Sequence, residues 1–243
     1  MKELHIFYAP EIEATHELPA DEAAHAVRVL RMKEGDDLMA TDGRGNFYDC
    51  TITLASNKHC RVNINSVDTP APLWHGNIHL AVAPTKNMDR TEWLAEKATE
   101  IGMNQLSFLL CDNSERKVIK TERVEKIVVS ATKQSHKATK PEVEEMIPFK
   151  KFISQDFKGQ KFIAHCYDDI PGTNNEKPFL GDVLSATDDA LVMIGPEGDF
   201  SISEVQQAIA AGFTPIHLGR SRLRTETAGL VAVHLMYVKK MIE

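Results

Sequence analysis

Nowhere in the 243 residues is there an uninterrupted apolar run of about 18, the least that a membrane-crossing helix needs. The opening residues, MKELHIFYAP, also lack the basic start and apolar stretch of a secretory leader, so a cytoplasmic location is expected. Cysteine is scarce. Cys50, Cys60, Cys111 and Cys166 lie far apart with no C-x-x-C spacing, which argues against a zinc ribbon or a redox dithiol and for buried or free thiols. His75 and His79 are four apart, but Gly76 and the alternation in NIHLAVA suggest a strand, where that spacing makes no metal site. No metal is therefore expected. Positive charge is in deficit too: Lys and Arg number 28 against 35 Asp and Glu, a net charge of -7. Affinity for a phosphate backbone comes mainly from Lys and Arg, so this average argues mildly against nucleic acid. A phosphate-binding fingerprint is also missing, because the G-x-G at Gly43–Gly45 leads into a strand and the turn at Gly195–Gly198 lacks the Lys-Ser/Thr ending of a P-loop.

What is present is a chain with 42% hydrophobic content, enough for one large domain or two modest ones. Residues 1–72 read as a small β-rich domain. Leu38–Thr41 and Phe47–Leu54 flank the turn-rich stretch DGRGN, which suits a hairpin. Before it, PADEAAHAVRVLRMKEGD has the spacing of a helix with Ala23, Ala26, Val27 and Leu30 inward, ending near Gly35. The prolines of SVDTPAPLWHG mark a linker. From residue 73 to residue 243 strands alternate with helices. NIHLAVAPT, QLSFLLC, KFIAHCYDD, ALVMIGPEG and TPIHLG are strand-like, and NMDRTEWLAEKATEIGM, TERVEKIVVSATKQS and SISEVQQAIAAG are helical. That alternation predicts an α/β domain with a mostly parallel sheet covered on both faces.

In such a sheet ligands bind beyond the carboxyl ends of the strands, so the loops leaving the strands carry the interest. In ALVMIGPEGDFSISE a buried strand runs into Gly195, Pro196, Glu197 and Gly198, a tight turn open to close approach, and Ser201 with Glu204 forms a capping box. In IHLGRSRLRTETAGLVAVHLMYVKK, Arg220, Arg222 and Arg224 would project to one side if extended. Thr225 or Thr227 can cap the final helix, and Glu226 suits its first turn. A cationic loop after a buried strand is a place to hold an anionic substrate or a developing anion. The region from Arg116 to Lys140 sets eight Lys and Arg against Glu122 and Glu125, a local exception to the acidic average.

IGPEGDFS followed some twenty residues later by LGRSRLRTETAGL resembles the paired signature of the 16S ribosomal RNA uridine-N3 methyltransferase family, the RsmE type of the SPOUT superfamily. HAVRVLRMKEGD and DGRGNFYDCTI resemble that family's N-terminal PUA-like barrel, and EKATEIGM with NSERKV its central segment, so the resemblance spans nearly the whole chain. It implies a C-terminal SPOUT domain with a deep trefoil knot, a homodimer, and S-adenosylmethionine held bent in the knot. By carry-over the cofactor pocket uses His165, then Ile194, Gly195, Pro196 and Gly198, then Leu218, Gly219, Leu223 and Arg224. Two departures stand out. Asp199 occupies the place of a usual third glycine, and TKQSHKATKPEV replaces the usual QSGR run, so a substrate contact there falls to His136, Lys137 or Lys140.

The resemblance implies methyl transfer to uridine N3, which carries a proton at neutral pH. Arg224 is expected to stabilise the uridine anion, with Arg222 or Arg220 on a phosphate and Glu226 or Glu197 as candidates to take the proton. Arg28, Arg31 and Arg44 of the first domain, with Arg116, Lys117 and Lys137, would extend the RNA path on 16S ribosomal RNA or the assembled small subunit. A ribosome-assembly protein that binds RNA without catalysis, and a SPOUT methyltransferase acting on another RNA position, are the alternative readings.

Overall fold

The hairpin expected around DGRGN sits inside a four-stranded sheet. The computed structural model describes residues 5–56 and 58–242, and its contacts divide the chain into two units. The first comprises Met1–Ala71 together with Val129–Lys140; the second comprises Pro72–Val128 and Pro141–Glu243. Residues 129–140, read from the sequence as part of the second domain, thus pack with the first.

In the first unit β1 (Ile6–Tyr8) is followed by the short helices α1 (Ile12–Thr15) and α2 (Ala20–Ala24), then by β2 (Asp37–Thr41), β3 (Phe47–Ala55) and β4 (Cys60–Asp68). The sheet order is β1-β2-β3-β4, with β1 parallel to β2 and the other neighbours antiparallel. Alternation in β3 turns Tyr48, Cys50 and Ile52 inward onto Phe7, Leu38 and Val62, each such aliphatic or aromatic side chain contributing about 1.5–3 kcal/mol. The turn between β2 and β3 is organised by one carboxylate. Asp42 accepts the N–H of Arg44 at 2.7 Å and of Asn46 at 3.2 Å, with the Asn46 Nδ2 at 2.8 Å. The helix expected to reach Gly35 stops sooner. After α2 the chain makes a π-helical turn, His25–Val29, and Arg31 takes a left-handed φ of 56° that cannot continue it. Ala23 and Ala26 are fully buried as expected, while Val27 and Leu30 are half-buried.

The second unit runs β5 (Ile78–Val82), α3 (Met88–Ile101), β6 (Gln105–Leu110), α4 (Thr121–Gln134), β7 (Glu142–Pro148), α5 (Phe149–Ile153), β8 (Gln160–Ala164), α6 (Leu180–Val183), β9 (Ala190–Ile194), α7 (Ile202–Ala210), β10 (Thr214–Ile216) and α8 (Thr225–Lys240), the end of α4 belonging to the first. Its six strands are all parallel in the order β10-β8-β9-β5-β6-β7. Both faces are covered. Leu80, Val192 and Ile194 join Leu94 of α3 and Met236 of α8 on one side, while Ala81, Leu191 and Met193 join Phe149, Phe200 and Val205 on the other. β7 and α5 carry no clear signal in EVEEMIPFKKFI, because an edge strand half open to water keeps its charged residues. α8 lies close on α3 at Gly229, where a Cβ would come within 2.9 Å of Leu94 Cδ2. Its last turn is pinned by the buried Lys240, which donates to the carbonyls of Ser185 and Asp188.

Candidate active site

Three adjacent strands end level. Ile216 of β10 pairs with Ala164 of β8, and Ala164 pairs with Ile194 of β9, so the loops that leave them start side by side at the carboxyl edge of the sheet. Together they enclose a cavity of about 1050 Å³. His165, Ile194, Gly195, Pro196, Leu218 and Gly219 line it, as do Leu223, Arg224, Arg220 and Arg222. The cofactor and catalytic residues expected from the sequence therefore converge with two exceptions, one from each set. Gly198 stands off the wall, its carbonyl accepting Asn113 Nδ2 at 3.3 Å. Glu226, placed in the sequence reading near the reacting atoms, is also outside the wall; it is buried in the first turn of α8, with Oε1 3.8 Å from Arg90 Nη1 and no hydrogen-bond partner for Oε2.

The loop after β9 owes its shape to contacts on both flanks. Gly195 is buried where a Cβ would meet the Phe200 nitrogen at 3.0 Å, so any larger residue displaces the backbone. Asp199 N–H donates to the Pro196 carbonyl at 2.9 Å, closing the turn, and Asn113 Nδ2 donates to the Asp199 carbonyl at 3.1 Å. The expected capping box is complete. Ser201 Oγ accepts Glu204 N–H at 3.2 Å, and Glu204 Oε2 accepts Ser201 N–H at 2.8 Å. The other oxygen of Glu204 accepts Asp112 N–H at 2.9 Å, tying α7 to the loop that follows β6. Glu197 is exposed on the cavity wall, and its Oε1 accepts Lys86 N–H at 2.9 Å.

The stretch from Leu218 to Arg224 is not an extended strand. It bends at Leu218, Arg220 and Ser221, yet all three arginines are exposed at the cavity. Neither Thr225 nor Thr227 caps α8: the N-cap is Arg224 in an extended conformation, with no side-chain cap, and Thr225 is already the first helical residue and buried. Glu226 does occupy the first turn as expected.

Electrostatically the wall is divided. The loops after β8 and β9 bring Asp168, Glu197 and Asp199 with one cation, Lys177, while the loop after β10 brings Arg220, Arg222 and Arg224, and α3 brings Arg90. His165, buried at 8% exposure, has a pKa depressed to about 4, chiefly by burial and then by Lys177, with Asp199 opposing. It is neutral at pH 7, and its Nδ1 has no partner. Desolvation, aided by Asp199, raises the pKa of the Cys166 thiol and so favours its protonated form. Arg90, Cys166, Asp168, Lys177 and Asp199 were not marked as site residues by sequence reasoning. Arg90 sits on α3, brought in because β5 lies beside β9, and nothing in its local sequence signals that.

The residues expected along an RNA path have different circumstances. Arg28 and Arg31 in the first unit, and Lys117 in the second, are exposed; Lys137 is half-buried. Arg44 and Arg116 are engaged by their own unit. Arg44 lies 3.5 Å from Glu11 and 3.8 Å from Asp42, and Arg116 Nε donates to the Thr85 carbonyl at 3.1 Å, bracing the loop after β5. Within the basic run, Arg123 pairs with Glu92 at 2.7 Å and Lys133 with Glu22 at 2.5 Å. Among the described residues, no three His, Cys, Asp or Glu gather as a metal site.

Residues 72–237 match the RNA methyltransferase domain family, and residues 18–65 match the RNA methyltransferase PUA domain family. The chain belongs to the RNA methyltransferase family. Within it, the chain is 30% identical over 233 residues to a ribosomal RNA small subunit methyltransferase E of Synechocystis sp., covering 93% of this chain and 74% of the relative. Two solved methyltransferase structures are similar over almost the whole length. A probable rRNA-methyltransferase from Porphyromonas gingivalis has a TM-score of 0.89 at 44% identity, covering 98% of both chains. A ribosomal RNA small subunit methyltransferase E from Neisseria gonorrhoeae, solved bound to S-adenosyl methionine, has a TM-score of 0.82 at 27% identity, covering 97% of this chain and 98% of that one. The chain is thus an α/β methyltransferase of the E type with an N-terminal PUA-like domain.

Proposed function

We propose that this methyltransferase moves a methyl group from S-adenosylmethionine to N3 of a uridine in 16S ribosomal RNA. The observation that carries the reading is the cavity at the level ends of β10, β8 and β9, with a glycine-floored loop on one flank and three arginines on the other. The residues fit a nucleoside cofactor. The cavity has room for one, Gly195 lets it approach the main chain, and the unpartnered Nδ1 of buried His165 is a polar group that a bound ligand satisfies. His165, Ile194, Gly195, Pro196, Leu218, Gly219 and Leu223 would hold it, with Gly198 keeping the loop's shape through Asn113. The cofactor supplies a methyl group on a positively charged sulfur.

The chain's own residues then have three tasks. Arg224, at the cavity and at the start of α8, stabilises the anion left when N3 loses its proton. Arg220 and Arg222, exposed beside it, hold a phosphate. Of the two candidate carboxylates, Glu197 is the better proton acceptor because it stands on the cavity wall, whereas the carboxylate of Glu226 is buried against Arg90 and serves to position that arginine. Arg28, Arg31, Lys117 and Lys137 add backbone contacts that orient RNA without reading its sequence, Arg44 and Arg116 acting through the loops they brace. The family membership and the out-of-sequence order β10-β8-β9-β5 support a deep trefoil knot. We extend the same reading to a homodimer acting in the cytoplasm on 16S ribosomal RNA or the assembled small subunit.

The test is calorimetry with S-adenosylmethionine followed by mass mapping of 16S ribosomal RNA, naked and in small subunits, after incubation with enzyme and cofactor. Saturable binding and one N3-methyluridine support the proposal. A methyl group on another atom or another RNA overturns the substrate assignment, and absence of binding by folded protein overturns the cofactor site.

A further inference from the structure

Asp199 holds a backbone conformation that side chains rarely adopt, with φ at 64°. Aspartate tolerates this left-handed region better than most residues, but at a cost of about 1 kcal/mol that glycine would avoid. What the aspartate adds is a carboxylate tied at both oxygens. Oδ1 accepts the N–H of Phe200 at 2.7 Å, and Oδ2 accepts the N–H of Cys166 at 2.8 Å. The second bond crosses from the loop after β9 to the loop after β8, so the negative charge is fixed between the two loops that form one side of the cavity. Asp168 and Glu197 share that side but are exposed, and neither joins these two loops. Of the cations of the wall, Arg220, Arg222 and Arg224 belong to the loop after β10, beyond β8 in the sheet, Arg90 belongs to α3, and Lys177 belongs to the segment after β8.

A charge held in place by main-chain donors acts on a ligand without reorganising, which makes it a better discriminator than a mobile surface carboxylate. The two forms of the cofactor differ in charge: the donor carries a sulfonium cation, and the product left after transfer is a neutral thioether. We propose that Asp199 is a specificity-determining residue that favours the cationic methyl donor over the neutral product in this cavity. The inference rests on the S-adenosylmethionine reading above. It gives the carboxylate a task that shaping the loop alone would not require, since Asn113 and the Pro196 carbonyl already hold the turn.

Equilibrium binding of S-adenosylmethionine and of S-adenosylhomocysteine, measured by calorimetry at low salt on the full chain and on Asp199→Asn and Asp199→Gly, tests it. Asparagine keeps the shape and one acceptor, and glycine keeps the positive φ, so at least one variant retains the fold in a thermal melt. The expected result is a fall of about fivefold in the ratio of product Kd to donor Kd in either folded variant, the scale of one partly screened charge contact. Equal weakening of both ligands, or an unchanged ratio, overturns the proposal and leaves Asp199 as a loop tether. Failure of the parent protein to bind either ligand overturns the cofactor reading and this inference with it.

Discussion

Arg224 and Glu197 are the two side chains on which the proposed chemistry turns, and each makes a prediction that a structural role does not. Arg224→Ala is expected to lower kcat by about 100- to 1000-fold, as loss of one oxyanion-type donor does, with the donor Kd within about threefold of the parent. Single-turnover assays with calorimetry check this, and an equal loss of donor binding would move Arg224 into the cofactor pocket. Glu197→Gln is expected to lower kcat by about 100-fold, while Glu226→Gln, off the cavity wall, stays within about threefold. The reverse ranking of the two glutamine variants would return the proton-accepting role to Glu226. At this scale the sequence marked Gly195 and the three arginines, since each stands in a motif that can be read locally, and the family resemblance added His165. It did not mark Arg90, Lys177 or the bonding of Asp199, because each enters the cavity through packing between strands or loops distant in sequence.

The capping box shows how an element serves the site. Glu204 is 2% exposed, and its two oxygens accept main-chain donors from Ser201 and Asp112. Glu204→Ala would leave both N–H groups unsatisfied, so a loss of about 2–4 kcal/mol in urea unfolding is expected, together with weaker donor binding as the loop before α7 loosens. Stability within about 0.5 kcal/mol of the parent would show that water replaces the carboxylate. The hairpin of β2 and β3, the strands β5, β6 and β9, and the helices α3 and α7 were all legible, because each has a strong period or a clear start signal. β7 and α5 were not. Their sequence is charged and short, and they become elements only by pairing with β6 and packing Phe149 and Phe152 under the sheet. The start of α8 was placed at Thr225 or Thr227, one or three residues late, for a similar reason: Thr225 is buried and already helical, so it is spent on packing and cannot serve as the cap.

For the whole molecule, the sheet of the second unit carries a titration switch of its own. His79 is 4% exposed, and its Nε2 lies 2.6 Å from Ser107 Oγ, whose single proton is given to Glu144. The imidazole must then donate from Nε2, leaving Nδ1 bare beside Phe152 and Phe157. Burial depresses its pKa to about 4, with Glu144 opposing. Because the folded value lies below the unfolded value, the stability is complete above about pH 6.5 and is lost as pH falls towards 4, about 2 kcal/mol of it by pH 5. His165 acts in the same direction. Urea unfolding at pH 7.5 and pH 5 should show this fall, and His79→Gln should flatten it; an unchanged slope would place the acid sensitivity elsewhere.

The residue pattern by itself determined that the chain has a β-rich first part and a parallel α/β second part, and it marked the glycine loop and the arginine loop, because periodicity, turn residues and caps act over short distances. Tertiary structure decided the rest. It set β10, β8 and β9 side by side with their ends level, gave residues 129–140 to the first unit, drew Glu226 into the protein and held Asp199 between two loops. Those outcomes depend on which strands neighbour one another, and strand order follows from burying two faces of one sheet at once, a condition that no local stretch of sequence contains.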